Sequence, residues 1–274
     1  MADALKPAQI VGGMIELGAA KASLGAGPLL ARSALAGALL GVATTLAFTA
    51  LAQTGVPIVG ALIFPVGFAM IVVLGLDLVT GSFALLPMAV IAGRASVSQM
   101  LANWGWTFLG NFLGALVYAA LAWVALTADG TGTGGPIADK LRAAVEMRSA
   151  GYAALGAAGL LTAVVKGMLC NWLVCFGVVM GLSSTSVVGK VLGCWLPIVL
   201  FFAQGFEHAV VNMSLFPLGL MLGANATVPQ FLLWNELPVV VGNLVGGFTF
   251  TGLALLAAYS GEQPSARVAT APAE

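Results

Sequence analysis

Gly75-Leu-Asp-Leu-Val-Thr-Gly-Ser-Phe83 and Gly205-Phe-Glu-His-Ala-Val-Val-Asn-Met213 are the two stretches on which the fold turns. Each sets an acid two residues after a glycine and ten residues before a proline: Asp77 before Pro87, and Glu207 before Pro217. Pro65 and Pro197 precede the two acids by twelve and ten residues. Each stretch interrupts an apolar run of more than thirty residues, 57–91 and 191–223. Such runs are too long for one simple span and are polar in the middle, the pattern of a helix broken at membrane depth. Irregular backbone is tolerated there only where protein or a water-filled cavity satisfies it.

Outward from the breaks, the next segment repeats too: Gly110-Asn-Phe-Leu-Gly114 against Gly242-Asn-Leu-Val-Gly246. The two matches are offset by 130 and 132 residues and keep their order. Four further runs, 33–51, 104–127, 156–182 and 237–259, approach the roughly 20 apolar residues that a bilayer requires. Three segments per half force the halves to insert with opposite topology. The expected fold is therefore an all-α membrane protein of six transmembrane helices, an aquaporin-like inverted repeat (3+3) with two broken helices.

Composition agrees. The 274 residues are 60% hydrophobic and only 7% charged, against about 25% charged in soluble domains. Ten basic and ten acidic residues cancel, which offers nothing to nucleic acid. Thirty-six glycines suit closely packed membrane helices. Residues 1–32 lack a signal-peptide core and, with Ile10, Met14, Leu17 and Lys21 near helical spacing, are expected to form an amphipathic cytoplasmic segment at the membrane surface. The pore domain is expected over 33–260, and 261–274, rich in Ala, Pro and Ser, as a disordered cytoplasmic tail. Residues 128–151 are expected as an external loop. Six basic residues would then lie inside and three outside, which places both termini in the cytoplasm.

Ionisable side chains inside a membrane are costly and so are functional candidates. Asp77, Glu207, His208 and Lys166 qualify. The two acids have a structural alternative, accepting hydrogen bonds from free N–H groups at the breaks. Lys166 has one as well, snorkelling to an interface. His208 is the only histidine; its charge changes near neutral pH, which suits proton exchange with a weakly acidic permeant. Phe64, Phe68, Phe201 and Phe202 flank the breaks, where apolar constrictions would exclude water. One histidine with Cys170, Cys175 and Cys194 makes no metal site, and those cysteines read as buried small residues. No cofactor is implied. The sequence lacks a phosphate loop, a Gly-x-Ser-x-Gly elbow and an Asn-Pro-Ala pair, which argues against an ATP-driven pump, a serine hydrolase and a water channel.

Together with 64–83, 166–175 and 242–247, the Gly-Phe-Glu-His stretch resembles the signatures of the formate/nitrite transporter family, over roughly residues 5–260. The resemblance implies a non-enzymatic homopentamer in the plasma membrane, the inner membrane of a bacterium. Each protomer would pass small monovalent anions (formate, nitrite or hydrosulfide), with protons as co-substrates. It makes His208 the central residue and Thr80 its partner on the opposite break. Phe64 and Phe201 become the constriction, Asn171 and Asn212 polar groups of the pathway, and Asp77 and Glu207 the acids of the breaks. The chain departs from the family in two places. Val79 stands where members often have an aromatic, which opens the alternative of a bicarbonate channel. Leu155 stands where some members have a lysine, a charge that Lys166 or Arg148 would have to replace.

Overall fold

The computed structural model describes residues 4–259, which form helices and no strand. In chain order these are α1 (Pro7–Ala22), α2 (Ala26–Thr54), α3 (Pro57–Ile63), α4 (Pro65–Val73), α5 (Val79–Ile91), α6 (Val97–Thr127), α7 (Gly135–Arg148), α8 (Ala150–Ala154), α9 (Ala157–Leu182), α10 (Val187–Ala203), α11 (Ala209–Met221) and α12 (Val228–Tyr259). Four of them, α2, α6, α9 and α12, are long and apolar enough to cross a membrane. Their 26 to 32 residues correspond to roughly 40–48 Å at the α-helical rise. The expected tail, 261–274, lies outside the described residues.

The two long apolar runs do break. Gly75 and Gly205 adopt φ of +64° and +65°, a left-handed turn that any side chain would strain. Three non-helical residues follow each, the last of them (Leu78 or His208) extended, and α5 or α11 then begins at Val79 or Ala209. Pro87 and Pro217 lie inside these second half-helices, each removing one backbone donor. The first half-helices, α4 and α10, pack on each other, α5 packs on α12, and α11 packs on α6.

The glycines of the repeated Gly-Asn motif explain how the long helices cross. A Cβ on Gly114 would lie 1.8 Å from the Ala34 carbonyl oxygen, and one on Gly246 2.2 Å from that of Met168. Backbones therefore touch where α2 meets α6 and where α9 meets α12, a contact that dispersion favours when lipid supplies no hydrophobic drive.

The N-terminal helix forms and seats one face on the bundle: Val11, Met14, Ile15 and Gly18 are buried against α5 and its neighbours, with Ile10 and Leu17 beside them, while Glu16 is exposed. One expectation needs correction: 128–151 is not a loop; α7 and α8 occupy most of it, and Ala138, Leu141 and Val145 pin α7 to α11. The ends of the bundle are distinct. Leu5 N–H donates to the Ser183 carbonyl at 2.8 Å, Arg94 pairs with Glu16, and Tyr259 joins the α1 cluster. At the other end, Arg142 donates to the Leu222 carbonyl and Glu146 accepts from the Asn225 N–H.

Candidate functional site

Each break has a free helix start, and one asparagine closes it. Asn111 on α6 accepts the Val79 N–H at 3.0 Å and donates to the carbonyls of Asp77 (2.8 Å) and Ser33 (2.9 Å). Asn243 on α12 accepts the Ala209 N–H at 2.9 Å and donates to the carbonyls of Glu207 (3.0 Å) and Gly167 (2.8 Å). The same three kinds of bond thus recur at both breaks. They satisfy backbone groups that would otherwise cost several kcal/mol in apolar surroundings.

The acids therefore do not cap the breaks, contrary to their expected structural role. Asp77 turns to α1, where Lys21 pairs with Oδ1, while Oδ2 is buried without a partner. Glu207 turns to the other end. Its Oε1 accepts from the Tyr152 hydroxyl at 2.8 Å and lies 3.5 Å from Arg148 Nε. Its Oε2 accepts from Asn212 and Asn235 at 2.9 and 3.3 Å. Arg148 Nη1 also donates to Asn212 Oδ1 at 2.8 Å. The Asn212 amide is thus committed to the Glu207 network. Of the two cations considered in place of a lysine at 155, Arg148 takes the acid. Lys166 Nζ lies instead 5.8 Å from the centre of the Tyr152 ring, and Leu155 is exposed.

Thr80 and His208 come together where the breaks meet. His208 Nδ1 accepts the Val211 N–H at 3.2 Å, so the neutral ring carries its proton on Nε2 and donates it to Thr80 Oγ1 at 3.1 Å. Asn171 holds the other side of this pair: its Nδ2 donates to the carbonyls of Thr80 (3.0 Å) and Asn243 (2.7 Å), and its Oδ1 is buried without a partner. Phe201 stacks on the imidazole at 5.8 Å, Phe64 meets Phe201 edge-on at 5.8 Å, and Phe202 stacks on Phe64 at 4.0 Å. Phe64, Phe201 and His208 are each at most 2% exposed. An apolar aromatic column therefore closes one side of the polar pair. On the other side Phe68 lines a cavity of about 630 Å³. Val79 is not on that wall; it is buried in the core and its N–H is held by Asn111.

Several residues went unread in the sequence. Asn103 and Asn235 precede the capping asparagines by eight residues in both halves, at the same offset of 132, a visible signal. Asn103 holds the Lys21 carbonyl at 2.9 Å, and Asn235 belongs to the Glu207 network. Glu236 is buried with both carboxyl oxygens unpartnered. It sits on a π-helical turn of α12, Leu232–Glu236, one residue outside the apolar run read at 237–259.

The formate/nitrite transporter family profile matches residues 8–257. A probable formate transporter of Methanothermobacter thermautotrophicus is 35% identical over 242 residues, which cover 82% of this chain and 86% of the relative. Among solved structures, an FNT family ion channel superposes with a TM-score of 0.77 at 29% identity, covering 91% of this chain and 98% of the other. A pentameric formate channel with formate bound superposes with a TM-score of 0.70 at 26% identity, covering 86% and 98%.

Proposed function

Because this chain belongs to the formate/nitrite transporter family, we propose that it carries small monovalent anions (formate, nitrite or hydrosulfide) across the membrane and exchanges a proton with them at His208. The observation that carries this reading is the Thr80–His208 contact at the junction of two helix breaks, with an aromatic column beside it. The recurrent asparagine caps support an inverted repeat, and the pentameric neighbour supports a homopentamer with one pathway per protomer. Loop charge supports cytoplasmic termini in a plasma membrane, the inner membrane of a bacterium.

A bare anion meets a steep desolvation cost in an apolar column. Protonating the conjugate base of a weak acid removes that charge. Nδ1 is the ring's acceptor, so loading a second proton displaces the Val211 N–H and couples the ring's charge to the first turn of α11. The imidazolium then gives a proton to the anion, the neutral acid crosses the column, and the ring returns to its neutral form.

Flux of formate and of chloride into proteoliposomes, measured as a function of pH, tests this for wild type, His208→Asn and Thr80→Val. His208→Asn should abolish the pH dependence of formate flux and admit chloride more readily, and Thr80→Val should do the same more weakly. An unaltered profile and selectivity in His208→Asn would make the ring a packing residue. Nitrite, hydrosulfide and bicarbonate in the same panel rank the substrates, and fastest passage of bicarbonate would favour the alternative of a bicarbonate channel.

A further inference from the structure

Three acids are buried among the described residues, and two of them have a cation: Asp77 pairs with Lys21, and Glu207 lies beside Arg148. The third, Glu236, is 4% exposed, and neither of its carboxyl oxygens has a partner. Its π-helical turn packs on α8, α9 and α11. The charged and titratable side chains of those surroundings are Tyr152 on α8, Lys166, Cys170 and Cys175 on α9, and Glu207 and His208 just before α11, with Arg148 at the end of α7. Neither cation is free to pair with Glu236. Arg148 is committed to Glu207 and Asn212, and Lys166 Nζ lies 5.8 Å from the centre of the Tyr152 ring. A carboxylate without donors or a counter-ion is too costly to keep inside a membrane protein.

The repeated sequence shows what the position requires. Glu236 follows Asn235 as Trp104 follows Asn103, at the same offset of 132, and Asn212 matches Ser82 at the offset of 130 that relates the two breaks. In the first half, Trp104 Nε1 donates to the Ser82 carbonyl at 3.2 Å. The place is therefore a donor's. A carboxylate only accepts, whereas a carboxylic acid has one O–H to give. The neighbouring Asn235 already donates to Glu207 Oε2 at 3.3 Å. Ionising Glu236 would thus set a second negative charge one residue from a ligand of the first.

We propose that Glu236 is a proton-binding site, distinct from His208, which carries an exchangeable proton as a neutral carboxylic acid and so leaves Arg148 to Glu207. Release breaks the O–H bond, passes the proton to water, and leaves a carboxylate beside Glu207. The Arg148 end of the bundle then gains one negative charge, which repels an anion. Rising pH on that side therefore weakens anion entry there. That consequence rests on the anion-transport reading, whereas the proton site itself does not.

Infrared spectra of the purified protein read the proton directly. At neutral pH the wild type should show a carboxylic-acid C=O band that moves when glutamate is supplied with carbon-13 in its side-chain carboxyl, a measurement that needs no variant. Glu236→Gln should lack the band. Carboxylate bands alone, or an acid band of unchanged strength in Glu236→Gln, overturn the proposal. Thermal melts provide a second measurement. A carboxyl protonated in the fold and ionised in the unfolded chain lowers stability as pH rises above the ordinary carboxylate range. The wild-type Tm should therefore fall with pH relative to that of Glu236→Gln, and parallel profiles overturn the site as well. In proteoliposomes, the half-saturating formate concentration for entry from the Arg148 end should rise several-fold with pH in the wild type and far less in Glu236→Gln. Glu236→Asp, which keeps a carboxyl, should restore the rise. Equal pH dependence in wild type and Glu236→Gln overturns the link to anion entry. If the wild type passes no anion, the transport reading fails while the infrared bands and the melts still decide the proton site.

Discussion

A backbone N–H left free at a helix start inside a membrane finds no water, and at Val79 and Ala209 an asparagine side chain takes water's place. Asn243→Leu removes three hydrogen bonds at once and should cost on the order of 2 kcal/mol or more, read as a lowered Tm in detergent; His208→Asn should melt near wild type. The acids differ from each other for an equally local reason. Both oxygens of Glu207 only accept, so an amide there sets an NH2 group against the donors of Tyr152 and Arg148 or of Asn212 and Asn235. Asp77 has one oxygen without a partner that an amide nitrogen can replace. Glu207→Gln should therefore lower the yield of assembled protein on size-exclusion chromatography, and Asp77→Asn should assemble. Equal yields would show that the Glu207 network adds little. His208 and Thr80 were legible because polar groups stand out in an apolar run. Arg148 could be named as a candidate charge, but its pairing with Glu207 was not legible, because a charge in a hydrophilic stretch between spans carries no mark of the partner it will reach.

At the scale of elements, hydropathy showed the four long helices and both broken ones because each requirement is local: apolar length, a glycine at the turn, a proline in the second half. The helices that close the breaks from the side were harder to read. The glycine-rich start and charges of 128–151 concealed α7, although Ala138, Leu141 and Val145 keep a helical stripe. Ile10, Met14 and Leu17 do mark the apolar face of α1, which packs in the cluster it shares with α5, and the backbone approach at Gly18 decides its seat, since a Cβ there would lie 2.3 Å from the Leu85 carbonyl oxygen. Gly18→Val should lift α1 from α5 and draw Lys21 away from Asp77. Amide exchange over residues 7–22 should then accelerate, whereas Gly12→Val, with nothing within 4 Å of its added carbon, should exchange like wild type. Equal exchange in the two variants would mean that α1 is held by something other than that contact.

Across the whole molecule, the two ends of the bundle are built from different segments. Ala4 and Leu5 meet the turn after α9, Glu16 reaches Arg94 after α5, and Tyr259 returns to α1. The turn after α6 leads into α7, which binds the turn after α11 at the opposite end. Between the ends the outer surface is apolar, with Leu121, Leu161 and Leu192 each more than 60% exposed. Such a belt requires lipid or neighbouring protomers. If the ends face opposite sides of a membrane, the chain crosses six times and the two halves insert inversely. Single cysteines at Ser98, Thr131 and Asn225, all exposed in the described chain, separate this from any four-span arrangement of the long helices alone. A membrane-impermeant maleimide added outside intact cells should label Thr131→Cys and Asn225→Cys but leave Ser98→Cys until the cells are opened. The basic residues gathered at the Ser98 end, Lys21, Arg94 and Lys190, are the physical reason to place that end in the cytoplasm. Labelling of all three from one side would remove the inverted repeat, and a reversed pattern would keep the repeat while overturning the orientation.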